Sequence, residues 1–254
     1  MEWKNKDWNK EDIEYAAKRK VSNKDSQWKK HITGIINSNK MNRQIEFESM
    51  AEYIFYYYLE LDKLTIRYYV QPVEVEVGFV DKNGEKKNWP HVPDVLIFRQ
   101  GLPPMLIQIK GDNDVNTNHT KIFELKNKAC RRYAYERGWE YRVIYPKSID
   151  KILISNIKLL ASFTKKRNNF DKWIPILIEK MKLYKSSSVI ALSETFSTGG
   201  KSYEVTPVIY YLIATGEFSI DISKKIDSWS EIYYDESNNN SCLERIAEVY
   251  KYES

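Results

Sequence analysis

The stretch "HVPDVLIFRQGLPPMLIQIK" (residues 91–110) holds two short apolar runs, from Val95 to Phe98 and from Met105 to Ile109, on either side of RQGLPP. The glycine and paired prolines mark that hexapeptide as a loop, so the runs pair most simply as an antiparallel hairpin. With Phe98 opposite Met105, Asp94 falls near Ile109, between Gln108 and Lys110. The two-residue period of a strand puts Gln108 and Lys110 on one face. Asp94, Gln108 and Lys110 are thereby expected to gather at one end of a sheet.

On the amino-terminal side, "TIRYYVQPVEVEVGFV" is strand material, with Val73, Val75 and Val77 alternating with Glu74 and Glu76. "DKNGEKKN" is a turn with Asn83-Gly84 at its tip. Between Ile45 and Leu61, the apolar residues Phe47, Met50, Ala51, Ile54 and Tyr58 recur at helical spacing and predict a helix. Before it lies an arm rich in Trp, Lys and Asn, with one short helix expected near Asp12 to Lys20. On the carboxyl-terminal side a helix is expected from Thr120 to Arg137, stopped by Gly138, then a strand in "WEYRVIY". That helix carries Lys121, Lys126, Lys128, Arg131 and Arg132 on the side expected to overlook the strand end. "IDKILISNIKLLASFTKKRNNF" reads as a helix and a polar break, which places a domain boundary near Asn168. Beyond it, "DKWIPILIEKMKLY" and "SYEVTPVIYYLIATG" read as helices, and "EFSIDI" and "SEIYYD" as short strands, a pattern that suits a small winged-helix domain.

The 254 residues suffice for one large domain or two ordinary ones. A 42% apolar and 14% aromatic composition excludes a disordered chain. Every apolar run is broken by charge within a few residues, so neither a signal peptide nor a membrane span is expected and the sequence reads as cytoplasmic. Cys130 and Cys242 lack neighbours at metal-ligand spacing and read as buried, reduced thiols. His31 and His119 read as surface residues, and His91, three residues before Asp94, either fills a strand edge or touches the site. The net charge of +5 is unevenly spread. Residues 1–170 hold 31 Lys and Arg against 22 Asp and Glu, whereas residues 171–254 hold 9 against 13. Polyanion binding, if it occurs, belongs to the basic first part. A Gly-rich phosphate loop and a G-x-S-x-G turn are both missing, which disfavours a nucleotide-driven motor and a serine hydrolase.

A carboxylate heading one strand and a Gln-x-Lys on its partner supply what phosphodiester hydrolysis needs. Asp94, the Gln108 amide oxygen and the Ile109 backbone carbonyl are hard oxygen donors suited to magnesium. The Lys110 ammonium can orient a water or offset charge developing on phosphate. A further carboxylate from the preceding helix would complete the set, with Glu52 and Glu48 the candidates, one helical turn apart. Plain structural readings stand beside this one. Asp94 could start a strand, Gln108 and Lys110 could form the wet face of an edge strand, and Ser49-x-x-Glu52 matches a helix capping box.

At these residues the sequence resembles the PD-(D/E)xK nucleases, and more narrowly the TnsA family, the endonuclease subunits of heteromeric bacterial transposases. The resemblance runs through "SMAEYIFYYYLELD", "VQP", "HVPDVLIF" and "LIQIK" and covers roughly residues 45–145. It implies that Glu52 is the helix carboxylate, Asp94 the metal-binding aspartate, Gln108 the second strand ligand and Lys110 the catalytic lysine. It also implies a restriction-endonuclease-like α/β fold, a mixed sheet flanked by helices in residues 1–168, with a smaller winged-helix-like partner-binding domain in residues 169–254. The activity implied is magnesium-dependent endonucleolytic cleavage of DNA, with manganese able to substitute. The cuts would fall near the 5′ ends of a transposon, while a TnsB-like transposase cuts and joins the 3′ ends and a TnsC-like ATPase contacts the second domain. Lys121, Lys126, Lys128 and Arg131 are the expected DNA contacts. A restriction-type or repair endonuclease of the same fold, and an inactive DNA-binding scaffold, are the alternatives.

Overall fold

The computed structural model describes residues 1–19, 33–80, 83–110, 121–146, 151–196, 202–234 and 250–253. His31, His119, Cys242 and the start of the helix expected at Thr120 lie outside the described residues. The chain divides into two units. The first comprises Met1–Phe55, Leu64–Ser148 and Tyr250–Ser254; the second comprises Tyr56–Lys63 and Ile149–Val249.

The first unit is mixed α/β. Its main sheet runs β12 (Tyr250–Glu253), β8 (Glu140–Pro146), β7 (Met105–Ile109), β6 (Val95–Arg99), β3 (Thr65–Val70). Strands β6 and β7 are antiparallel, as expected, and β7 and β8 are parallel, joined through helix α3 (Lys121–Tyr135). A parallel pair needs such a crossover, whereas an antiparallel pair closes with a short loop. Every residue of β7 is buried, which fits a strand with neighbours on both edges and excludes the reading of Gln108 as part of a wet edge.

The β6–β7 register differs from the sequence expectation by one residue. Ile97, not Phe98, lies opposite Met105. In the observed register Phe98 faces Pro104, which has no N–H to give the ladder, so the pairing ends at Ile97 and Met105. Asp94 consequently sits beyond the Val95–Ile107 pair, with its N–H donating to the Ile107 carbonyl at 3.1 Å.

Strand β4 (Val75–Val80) pairs with β5 (Lys86–His91) across the turn at Gly84, whose φ of 83° is the left-handed geometry a tight hairpin needs. Val75 and Val77 are buried and Glu74 and Glu76 exposed, as their alternation predicts. Strand β5 has no apolar alternation and contains Pro90, so its sequence gives no strand signal. Helix α2 (Met50–Leu61) begins later than its apolar spacing predicts. Residues Arg43–Phe47 instead form β2, paired with β1 (Gly34–Ser38), and bury Ile45 and Phe47 at a two-residue period. The start of α2 is set by Ser49, whose Oγ accepts the Glu52 N–H at 3.1 Å, while Glu52 Oε2 accepts the Glu48 N–H at 2.7 Å. This variant of the capping box leaves Glu48 outside the helix rather than on a shared face with Glu52. Helix α3 ends as expected at Gly138, at φ 68°, where the Trp139 N–H reaches the Ala134 carbonyl and the Gly138 N–H the Tyr135 carbonyl, a Schellman closure.

The amino-terminal arm packs on the first unit. Helix α1 spans Asn9–Glu14, earlier than expected. Trp3 and Trp8 meet the Phe98 ring edge-on, with centroids 5.1 and 5.0 Å away, and the Trp3 indole donates to the Leu102 carbonyl at 2.9 Å. Asp12 pairs with the Arg67 guanidinium and accepts the Tyr69 hydroxyl at 2.8 Å.

The second unit contains helices α4 (Lys151–Ala161), α5 (Ile174–Tyr184), α6 (Val189–Glu194) and α7 (Ser202–Ala214). Its small antiparallel sheet has the order β10 (Ser219–Ile220), β11 (Glu231–Tyr233), β9 (Ser186–Ser188). The core is apolar, with Leu177, Met181, Leu192, Val208, Leu212 and Phe218 buried. Asn156 is buried among them because its amide is spent. It donates to the Ile222 and Lys224 carbonyls and accepts the Ile226 N–H. No described helix is long and apolar enough to cross a membrane.

Candidate active site

Three of the four sequence-predicted residues meet where β6 begins and β7 ends. Asp94 Oδ2 accepts the Gln108 amide and, at 2.5 Å, the Ile109 N–H. The Lys110 N–H is bound by the Ile144 carbonyl of β8 at 2.9 Å, which fixes the backbone, and its ammonium lies 5.2 Å from the Phe123 ring centroid of α3. Glu52 approaches from the start of α2, and its charge is among those that bear on Asp94.

Burial, and after it the Glu52 charge, push the Asp94 carboxyl up to about 8, against the lowering effects of the Ile109 N–H, Lys110 and Arg19. Burial likewise raises Glu52, opposed by the Glu48 N–H and the Arg19 guanidinium. Two carboxylates held near one another away from water are a costly arrangement without a cation. Of the four α3 cations expected to contact DNA, Lys121, Lys128 and Arg131 are exposed, while Lys126 is partly buried and turned toward the strand end. Its ammonium is lowered by burial and then by the Lys110 charge.

His91 belongs to this cluster rather than to a strand edge alone. Its Nε2 lies 3.0 Å from Gln108 Oε1, and burial followed by the Lys126 charge pushes it down to about 4. It is therefore neutral at physiological pH. The sequence signal for it was its spacing, three residues ahead of Asp94 on the strand leading to the site. A second residue left unassigned by sequence reasoning is Arg19, which pairs with Glu48.

Behind the strand end, Cys130 of α3 is fully buried, and burial pushes its thiol up to about 12. Peptide mapping after exposure to a thiol reagent should find Cys130 unmodified in the folded protein and modified in denaturant. Rapid modification of the folded protein would show that the α3–sheet interface opens.

Asp94, Glu52 and Gln108 make a donor set of hard oxygens, and the chemistry of that set fits a magnesium-class cation. Among the described residues no group of three His, Cys, Asp or Glu side chains is placed to hold a metal. A third protein oxygen would therefore come from the Gln108 amide or the backbone.

No curated protein matches the chain. The family model described as TnsA-like endonuclease N terminal matches residues 62–145, a span that includes Gln71, His91, Asp94, Gln108, Lys110 and all of α3 but neither Glu52 nor the arm. That match covers about a third of the chain and shows that residues 62–145 are similar to the TnsA-like endonuclease N-terminal domain.

Proposed function

We propose that this chain is the metal-dependent DNA endonuclease subunit of a cut-and-paste transposase. On this reading it cuts near the 5′ ends of the element while a TnsB-like partner cuts and joins the 3′ ends. The observation that carries the reading is the convergence of Asp94, Gln108 and Lys110 at one strand end, with Glu52 beside them, inside or next to the span matched by the endonuclease family.

Asp94 and Glu52 would hold magnesium, or manganese in its place, with Gln108 or the Ile109 carbonyl as a further ligand. The ion would serve as a Lewis acid toward the scissile phosphate. Gln108 turns its amide nitrogen to Asp94 and its oxygen to His91. Offering that oxygen beside Asp94 requires the amide to turn over, and a neutral His91 can then accept at Nε2 the hydrogen bond it otherwise donates. Lys110 is positioned to orient the attacking water or to offset charge developing on the phosphate. Lys121, Lys128 and Arg131, exposed on α3, are suited to contact flanking phosphates, and Lys126 to contact those nearer the reacting bond.

For the second unit we propose a winged-helix-like module that engages a TnsC-like ATPase. The run β9, α6, α7, β10, β11 and the sheet order β10-β11-β9 support that reading, as does the acidic balance of residues 171–254.

The test is strand-resolved cleavage of transposon-end DNA, using the full chain with the transposase and ATPase encoded beside it. The expected result is magnesium- or manganese-dependent cuts near the 5′ ends that disappear in Asp94→Ala. If the partner nicks the 3′ ends normally and no Asp94-dependent cut appears, the nuclease reading is wrong and a scaffolding role is the better account.

A further inference from the structure

The amino-terminal arm does more than cover apolar surface. After Trp3, Trp8 and Tyr15 have anchored it on Phe98, the chain runs to the Lys18 N–H, which donates to the Gln71 carbonyl at 2.9 Å. Gln71 holds a left-handed backbone, φ 48°, and its own N–H donates to the Asp94 carbonyl at 2.8 Å. Its buried side chain closes on the next residue of the arm. In the amide orientation that satisfies both groups, the nitrogen donates to the Arg19 carbonyl at 2.6 Å and the oxygen accepts from Arg19 Nη2 at 3.3 Å. The same Nη2 pairs with Glu48, whose N–H is bound by Glu52. Arg19 is thus one residue removed from Asp94 on one side and from Glu52 on the other.

The guanidinium is held but not consumed. Both contacts use Nη2, and among the described residues Nη1 and Nε have no acceptor. The side chain keeps 56% of its surface exposed. A guanidinium held through one nitrogen, on a side chain that stays more than half exposed beside two carboxylates, is suited to receive an anion with oxygens spaced for a fork. Lys110 and Lys126 approach the same strand end from β7 and α3, so cations from three separate elements surround it.

We propose that Arg19, delivered by the arm, binds a backbone phosphate of DNA at the candidate active site, making the arm a working part of the nuclease unit. The proposal rests on the nuclease reading of that site. It differs from a purely structural role, in which Arg19 would only balance Glu48 and Glu52 and no DNA-dependent quantity would change with it.

The experiment measures affinity of the full chain for a short fluorescein-labelled duplex against salt concentration, in EDTA so that nothing is cut. Arg19→Ala should make the slope of log affinity on log salt shallower by about 0.9, the value of one phosphate contact on duplex DNA. Arg19→Lys should keep the wild-type slope because it keeps the charge, and Asp94→Ala should keep it too. Arg19→Gln, which retains hydrogen bonding toward Glu48, supplies the uncharged variant if Arg19→Ala folds poorly. In magnesium, Arg19→Ala should also cut on the order of 10²-fold more slowly, with partial recovery in Arg19→Lys. A wild-type slope in both uncharged variants overturns the proposal. If that occurs while the wild type makes Asp94-dependent cuts, the nuclease reading stands without it. If the wild type binds DNA but never cuts, the nuclease reading fails, and the slope alone decides Arg19. A chain that does not bind the duplex overturns the Arg19 proposal and leaves the nuclease reading to the cleavage test with the partners.

Discussion

Asp94→Asn is expected to be inactive and, without metal, more stable than the wild type at neutral and alkaline pH. Asparagine keeps an oxygen for the Gln108 amide and the Ile109 N–H, so both hydrogen bonds to Asp94 survive the change. What it removes is a charge. Burial and the Glu52 carboxylate push the Asp94 carboxyl from its ordinary value of 3.8 up to about 8, so between these values the folded chain binds a proton that the unfolded chain has released. Stability therefore falls as pH rises through that window, because the carboxylate must ionise in a place that resists it. Asparagine never ionises. In EDTA, Asp94→Asn should match the wild type near pH 4 and melt higher at pH 8, by on the order of 3 °C or more. Magnesium should close the gap by stabilising the wild type alone. Loss of the metal ligand should lower cleavage by on the order of 10³-fold or more. A mutant that melts lower than the wild type at pH 8 would mean that the carboxylate holds the strand end together. A mutant that still cuts would remove Asp94 from the chemistry.

Much of this site was legible because strand periodicity converts spacing into position. Two apolar runs flanking Gly and Pro specified a hairpin, and the hairpin specified that Asp94 and Gln108 meet. The register was missed by one residue because both runs are apolar at nearly every position and carry no alternation to say which residues pair. The early start assigned to α2 had a similar origin. Ile45 and Phe47 fit a helical face and a strand face equally well, and only the Ser49–Glu52 cap decides between them. Strands β5 and β9 and helix α6 were not anticipated, since β5 is polar and the other two are only 3 and 6 residues long. The deepest omission was the arm. Its tryptophans have no period of their own, because they fill gaps around Phe98, some ninety residues away in the chain. Arg19 could not be assigned for the same reason: its partners Glu48 and Gln71 come from other segments.

Lys110→Ala should lose turnover while keeping the fold, the metal requirement and most DNA affinity. The backbone of Lys110 is pinned by the Ile144 carbonyl, and its side chain lies at the sheet end against Phe123, so truncation leaves the ladder untouched. A group acting only on charge that develops in the transition state lowers kcat and kcat/KM together and leaves KM alone. A loss on the order of 10²- to 10³-fold is expected for one such donor. Lys126 complicates the assignment usefully. Burial and the Lys110 charge both lower its ammonium, so removing Lys110 should raise the Lys126 pKa and leave the Lys126 charge facing the same carboxylate. If Lys126 then partly covers for the missing lysine, the double variant Lys110→Ala with Lys126→Ala should fall further than Lys110→Ala alone. If Lys126 contacts only DNA, Lys126→Ala should weaken binding and reduce its salt dependence, with kcat unchanged. An unimpaired rate in Lys110→Ala together with a collapse in Lys126→Ala would move the catalytic role from the strand end to the helix.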